Sequence, residues 1–307
     1  MQKILSLLAT ALLISGLAFY NQNEEAHSFK TWQKNFNKFY TSNEETYRQV
    51  IFNQNVELIN KHNSNPNKSY SMAVNQFADL TDEEFQSMYL GKPTYVKIDN
   101  IELSKGNTLG DADWASKMNP IKNQGNCGSC WTFSAIGAVE GFLAIRKGFK
   151  GVLSEQQLVD CAVDAGEGCN GGNSDLALDY IAEVGSVYER DYEYTAKDGV
   201  CKVKQGKVRI AGRENYGPNE DAIKKGIQNY PLSVSVDATY WKFYNQGVYD
   251  GACRDDFHNH AVVAVGFDYA GNWKIRNSWG EGWGEQGHIW LKPGNSCAVM
   301  TRVDGAI

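Results

Sequence analysis

The octet Gln124-Gly125-Asn126-Cys127-Gly128-Ser129-Cys130-Trp131 constrains this chain more than any other stretch. Directly after Cys130 come Trp131, Phe133, Ala135, Ile136, Ala138, Val139, Phe142 and Leu143. That run is apolar on nearly every face, which predicts a buried helix. A thiol in the first turn of such a helix feels the positive end of the macrodipole, and that end favours thiolate over thiol. Two glycines let the backbone make the turn that brings Gln124 back beside the sulfur. A thiolate with an amide donor close by is half of an acyl-transfer site. Taken alone, the octet leaves two other readings open: a C-x-x-C redox or zinc pair, and two structural cysteines at a helix start.

Length and composition narrow the choice. The 307 residues carry a net charge of −6 and are 42% hydrophobic, enough for a large core or two lobes. No basic block suggests nucleic acid as a partner. Lys3 followed by the apolar run Ile4 to Leu17, with small Gly16 and Ala18 before Phe19, predicts a secretory signal cut near Ala18. No later stretch is long and apolar enough to span a bilayer, so no membrane partner is expected. Seven cysteines in a chain entering that route read as three disulfides and one free thiol, and Cys130 is the one left unpaired. Six partners allow about fifteen connectivities, among which the residues alone do not choose.

From Phe19 to about Ser104 there is no cysteine and much Asn, Gln, Glu and Lys. Phe29, Trp32, Phe36 and Phe39 recur at helical spacing as an aromatic stripe. Glu44, Arg48, Phe52, Asn55, Ile59 and Asn63 fall on one long amphipathic helix, with Glu44–Arg48 a favourable i,i+4 pair and Asn65-Pro66-Asn67 its stop. Tyr70 to Asn75 reads as a short strand, and Thr81 with Glu84 as a capping box opening a helix through Tyr89. Lys92 to Gly110 reads as an exposed, cleavable linker. After the helix of Cys130, Ser154 with Gln157 suits a second capping box, and Ser174 is placed as the cap of a helix from Asp175 to Glu183 closed by Gly185. From about Gly212 strands dominate: Leu232 to Val236 with period two, Ala261 to Gly266, Trp273 to Arg276 and His288 to Leu291, with one helix from Asn219 to Gln228. A helical half followed by a β half puts the cleft at their seam.

A cysteine nucleophile needs a base within reach and a third group to hold that base. His260 heads the strand beginning near Ala261, and Asn277 ends the strand Trp273 to Arg276, so neighbouring strands bring both to one end of the sheet. An Asn277 amide oxygen fixes the imidazole tautomer, and Trp279 shields that bond from water. Cys130 and His260 would then rest as a thiolate–imidazolium pair, with Gln124 and the Cys130 backbone N–H stabilising a tetrahedral oxyanion. Singly, each residue has a plainer reading: His258 with His260 as a metal pair on one strand face, Asn277 as a turn residue. Nucleophile, base, orienter and oxyanion donor together make the stronger case.

At these residues the chain closely resembles the papain family of cysteine proteases, and within it the cathepsin L-like branch. Cys127-Gly128-Ser129-Cys130-Trp131 matches that family's C-G-[SA]-C-[WY] signature, with His260 130 and Asn277 147 residues after Cys130. The Glu44 to Asn63 pattern matches the interspersed signature of cathepsin L-like propeptides. Ala73-Val74-Asn75-Gln76-Phe77-Ala78-Asp79 resembles a second propeptide motif, with Ala73 where a glycine is usual. The resemblance implies an α+β, papain-like two-lobe fold, a helical lobe and a β-barrel-like lobe with the cleft between, behind a mainly helical propeptide. Signal peptide 1–18, inhibitory propeptide 19–105 and mature peptidase 106–307 follow, the lobes spanning about 115–211 and 212–307. It implies disulfides Cys127–Cys169, Cys161–Cys201 and Cys253–Cys297, no cofactor and no metal. Gly171 and Gly172 would pair with substrate backbone as a short β-addition, and Trp279 would border the leaving-group side. Implied partners are protein and peptide substrates, the chain's own propeptide and cystatin-like inhibitors. The implied form is a monomer of the secretory pathway, in a lysosome-like compartment or outside the cell, activated at acid pH.

The main specificity pocket departs from the family. Its lining falls on Asn173, Ser174, Ser235, His258 and Arg302, where relatives usually accept an apolar side chain. A guanidinium at the pocket floor is costly to bury without an anion. The expectation is a pocket that tolerates or prefers an acidic or polar residue; the alternative is an Arg302 turned to solvent or paired with a local carboxylate. Asn67-Lys68-Ser69 is also a glycosylation acceptor pattern in the propeptide.

Overall fold

Phe29 and Trp32 stand about one helical turn apart, so a helix lays both rings on one face. The computed structural model, which describes residues 28–96, 101–104 and 110–307, forms this helix as α1 (Phe29–Asn35). The expected signal sequence and its cut near Ala18 lie outside the described residues. The aromatic stripe is shorter than its spacing suggests, because Asn37 turns left-handed at φ 51° and ends the helix; Phe39 is 88% exposed. Tyr40 stacks on Phe29 instead, and Phe52 meets both Phe29 and Trp32 within 5.5 Å.

Phe52 belongs to α2 (Ser42–Asn63), whose buried face also carries Ile51 and Ile59. Its asparagines replace missing backbone partners: Asn55 donates to the Ala78 and Leu80 carbonyls, and Asn63 both donates to and accepts from Met72. Arg48 reaches Glu44 at 3.6 Å but holds Glu84 more tightly, at 2.6 Å. The strand expected over Tyr70 to Asn75 is only β1 (Tyr70–Met72). Helix α3 (Asp82–Tyr89) opens on both halves of the Thr81–Glu84 capping box. The linker is less free than its composition suggests. Thr94–Tyr95 forms β2, pairing with Phe257–His258, and Glu102 bridges to Asn219; residues 97–100 and 105–109 lie outside the described residues.

Beyond Gly110 the chain builds two layers. β3 (Ala112–Asp113) joins the sheet, and then α4 (Cys130–Lys147), closed by left-handed Gly148, forms the axis of a helical lobe with α5 (Glu155–Cys161) and α6 (Ser174–Glu183). Ser154 caps α5, but the Gln157 side chain bonds to Gly185 and Val187, leaving half of the expected box. Ser174 lies inside α6, the N-cap position being Asn173 with no side-chain cap bond.

The other lobe contains β4 (Arg213–Asn215), α7 (Glu220–Asn229), β5 (Leu232–Val236), β6 (Tyr244–Tyr249) and β7 (Phe257–His258). It closes with β8 (His260–Phe267), β9 (Trp273–Arg276), β10 (His288–Leu291) and β11 (Val303–Ala306). Strand order is β1-β6-β10-β9-β8-β5-β11-β4, with β3 on β8, so the segment before Gly110 supplies an edge strand. β5 alternates polar and apolar residues, yet all five are buried. Its polar face meets the helical lobe, where the Ser233 and Ser134 hydroxyls lie 2.7 Å apart. Burial at a lobe seam hides both faces of a period-two strand.

Two apolar clusters result. One unites Trp131, Ile136, Val139, Leu158, Leu178 and Ile181 in the helical lobe. The other runs from Val234, Val262, Ile275 and Ile289 of the sheet into Phe29, Trp32, Phe77 and Phe85 of the N-terminal helical segment. Disulfides join Cys127 to Cys169, Cys161 to Cys201 and Cys253 to Cys297.

Candidate active site

Cys130 is the first residue of α4 and the unbridged cysteine, buried at the lobe seam. The partner of Cys127 is Cys169, so the C-x-x-C is no redox pair. Around the sulfur, backbone N–H groups of Ala261 in β8, of Trp131 and Cys130 at the helix start, and of Gly91 favour the thiolate. His260 begins β8 and lines the same cleft as Cys130, a space of about 340 Å³. Antiparallel pairing of β8 with β9 carries Asn277, just past β9, back to that sheet end. There His260 Nε2 lies 2.8 Å from Asn277 Oδ1. An amide oxygen only accepts, so Nε2 carries the proton and Nδ1 keeps its lone pair; Nδ1 is buried with no partner. The Trp279 indole stacks on the imidazole at 4.7 Å and 27°, and Trp241 meets it edge-on at 6.5 Å.

Gln124 is fixed by Ser278. Its backbone N–H donates to the Ser278 carbonyl (2.8 Å), and its side-chain Oε1 accepts from Ser278 Oγ (2.7 Å). That leaves Nε2 as donor, and it donates to the Cys127 and Tyr89 carbonyls at 2.9 and 3.0 Å. Tyr89 ends α3, so a carbonyl from the segment that precedes Gly110 occupies the amide donor. Next, a Cβ added to Gly91 would stand 3.7 Å from Cys130 Sγ, and Gly91 N–H donates to the Asn259 carbonyl at 2.6 Å. A Cβ on Gly171 would meet the Lys92 nitrogen at 3.0 Å, and Thr94 pairs with His258. Phe77 and Phe85 cap the outer side of Trp279, 5.7 and 5.2 Å away.

This cover changes the ionisation of the site. Burial pushes the Cys130 thiol up to about 11 against its N–H donors, and the His260 imidazole down to about 4 against the Asn277 bond. In this covered state both shifts favour neutral thiol and imidazole over the Cys130–His260 ion pair that the sequence leads one to expect. Desolvation penalises both charged forms.

The structure brings Asn173, Ser235, His258 and Arg302 into the same cleft with Gly171 and Gly172; Ser174 is buried at the start of α6, outside that lining. Arg302 Nη1 donates to Asn173 Oδ1 at 2.7 Å, and among the described residues no carboxylate lies within ion-pair distance of it. His258 bonds Thr301 through Nε2, and burial together with the Arg302 charge pushes its pKa down to about 4. Nε2 of His258 is held by Thr301 and Nε2 of His260 by Asn277, and among the described residues no group of three or more His, Cys, Asp or Glu side chains could hold a metal ion. No helix of the described residues is long and apolar enough to cross a membrane. Sequence reasoning missed Ser278, whose one signal is its place between Asn277 and Trp279. It also missed Gly91, Trp241 and Tyr194, which reach the site only through the fold.

The papain family cysteine protease description matches residues 110–307, and the cathepsin propeptide inhibitor domain (I29) matches residues 29–85. The chain is 37% identical over 305 residues to a putative cathepsin L 3 of Paramecium tetraurelia, covering 98% of each. It is 39% identical to cathepsin L 2 of the same organism, covering 94% of this chain and 96% of that protein. The digestive procathepsin L 3 structure from Tenebrio molitor larval midgut superposes with a TM-score of 0.82 at 35% identity, covering 90% of this chain and 97% of that one.

Proposed function

This chain belongs to the papain family of cysteine proteases and carries that family's propeptide inhibitor domain, and we propose that Cys130 is its nucleophile, His260 its base and Asn277 the group that holds the base. The carrying observation is the 2.8 Å His260–Asn277 bond, which leaves Nδ1 bare in the cleft that Cys130 lines. Once the propeptide leaves, water and substrate enter, and the thiol proton passes to Nδ1. The thiolate adds to the substrate carbonyl carbon. Gln124 Nε2–H and the Cys130 N–H take the oxyanion, His260 returns its proton to the departing amine, and a thioester remains. A water deprotonated by His260 then hydrolyses the thioester and restores the thiol. Cys130→Ala and His260→Ala should each abolish peptide hydrolysis in a folded, processed enzyme; turnover surviving in either ends this assignment.

The proenzyme is shut by its own chain. Tyr89 occupies Gln124, Gly91 passes the sulfur, Lys92 reaches Gly171, and Thr94 pairs beside His258. In that order the propeptide runs opposite to a substrate whose acyl side lies along Gly171 and Gly172, so the peptide beside the sulfur is unproductive. We place its boundary near residue 105, the mature peptidase from 106, and activation at acid pH in a lysosome-like or extracellular setting. The Arg48–Glu84 ion pair, which is lost as acid protonates Glu84, supports this. A monomer open to cystatin-like inhibitors after processing completes the reading.

For the pocket accepting the side chain two residues before the cut, Arg302 with only a neutral amide partner supports an acidic or polar preference. The chain crosses this cleft at Lys92, whose ammonium pairs with Glu167 at 2.6 Å, and at Thr94. Substrates with Glu or Leu at that position test it: Arg302→Ala should lower the Glu-to-Leu ratio of kcat/KM by about tenfold, the worth of one charge-assisted bond. A Leu preference unchanged by that substitution refutes the pocket reading.

A further inference from the structure

We propose that Tyr194 is a positioning residue that sets the two oxyanion donors relative to one another. This rests on reading Gln124 Nε2–H and the Cys130 backbone N–H as those donors. Tyr194 follows the short turn Glu189–Asp191 and stands 70 residues from Gln124 in sequence. Its hydroxyl donates to the Gln124 backbone carbonyl at 2.7 Å, and the Ser129 hydroxyl lies 2.6 Å from it. With the phenol proton committed to the carbonyl, Ser129 donates to the phenol oxygen. One side chain thus ties the residue that carries the first donor to the residue immediately before the second.

The phenol is itself held. Phe133 of α4 meets the ring edge-on at 4.9 Å, the Tyr194 N–H donates to Glu189 Oε1 at 2.9 Å, and the Thr195 N–H donates to Gln156 Oε1 at 2.8 Å. Ala196 packs against the left-handed Gly125 turn, its Cβ 3.4 Å from where a Gly125 side chain would begin. Ser129 and Gln124 are fully buried, so a lost bond at either is not replaced by water. Gln124 is then gripped at three points: N–H and side-chain oxygen by Ser278, carbonyl by Tyr194. Its remaining polar group is the donor that faces the reaction. Burial pushes the Tyr194 ionisation well above its ordinary range, so the hydroxyl stays a donor throughout the working pH of such an enzyme. Oxyanion stabilisation depends on donors already aimed at the developing charge, and a donor that drifts loses transition-state binding more than substrate binding.

The test uses Tyr194→Phe and Ser129→Ala, expressed as full-length proenzyme, processed, and normalised by active-site titration. Each should lower kcat by about tenfold with KM nearly unchanged. A peptide aldehyde, whose hemithioacetal oxygen sits in the same hole, should lose affinity by the same factor as kcat/KM. The pH dependence of Cys130 alkylation should not move. A purely structural role predicts the opposite: lower thermal midpoint and fewer titratable sites, with kcat per site and aldehyde affinity intact, and that result overturns the proposal. Gln124→Ala separates the layers. If it spares both kcat and aldehyde affinity, the donors themselves are misassigned. If it lowers both while Tyr194→Phe and Ser129→Ala lower neither, only the role of Tyr194 fails. Should Tyr194→Phe not fold, Ser129→Ala removes the other half of the bridge and decides alone.

Discussion

Removing the propeptide should change how one sulfur titrates, and the change is readable as a slope. In the covered site the Cys130 thiol sits at about 11 and the His260 imidazole at about 4, both moved by burial. Below such a value the thiolate fraction rises tenfold per pH unit, so alkylation of Cys130 by iodoacetamide in the proenzyme should climb by about 10³ between pH 6 and pH 9. In the processed enzyme the cover is gone, the helix start and a protonated His260 hold the thiolate, and the rate should be flat over that range. Absolute rates at one pH understate the difference, because a thiolate of low pKa is also a weaker nucleophile. The assay is a series of short iodoacetamide pulses on both forms, with Cys130 occupancy read by peptide mass mapping. A flat proenzyme profile matching that of the processed enzyme refutes the burial argument. A processed profile rising through the range of an ordinary free thiol refutes the ion pair.

Asn277→Ala removes the hydrogen bond that orients His260 while Trp279 still stacks on the ring, so kcat should fall about tenfold with a preserved fold. Stopped-flow hydrolysis of a peptide amide checks this, and an unchanged kcat contradicts the orienting role. Trp32→Ala empties the centre of the propeptide core, where the indole is 3% exposed and donates to the Asn75 carbonyl. About 3–5 kcal/mol of propeptide stability should be lost, with the proenzyme leaking activity at neutral pH. Glu84 gives the pH dependence a sign. Desolvation raises its pKa, but the Arg48 and Thr81 hydrogen bonds and the Arg48 and Lys242 charges together outweigh this, and the net shift is downward. A lowered carboxylate stabilises the propeptide above its ordinary value and loses that contribution as pH falls through the lowered one. Glu84→Gln should therefore start processing at higher pH than the native residue, measured as processing half-time against pH; an unmoved onset contradicts it.

What could be seen in the sequence was what local pattern encodes. The Asn and apolar spacing of α2, the Thr81–Glu84 box and the spans Leu232–Val236, Trp273–Arg276 and His288–Leu291 follow from periodicity and turn residues within a few positions. Phe39 and Ser174 were misplaced because neither a left-handed Asn37 nor a helix beginning one residue early announces itself in composition. The buried polar face of β5 needed knowledge of what covers it, and Ser134 on a distant helix does. The same limit holds for the site. Cys130, His260 and Asn277 stand in recognisable local settings, whereas Ser278, Tyr194 and the propeptide's Gly91 contribute through contacts that exist only after folding. Neutral ionisation of the covered pair is likewise a property of packing: the helix start favours a thiolate, and burial by another part of the chain reverses it.

The most direct measurement is acid quench of the processed enzyme during turnover of a slowly deacylating ester, followed by peptide mapping of the trapped acyl group. A single thioester on Cys130, absent in Cys130→Ala and formed far more slowly in His260→Ala, is the predicted result. An acyl group on any other residue, or full turnover without the Cys130 sulfur, would contradict the account.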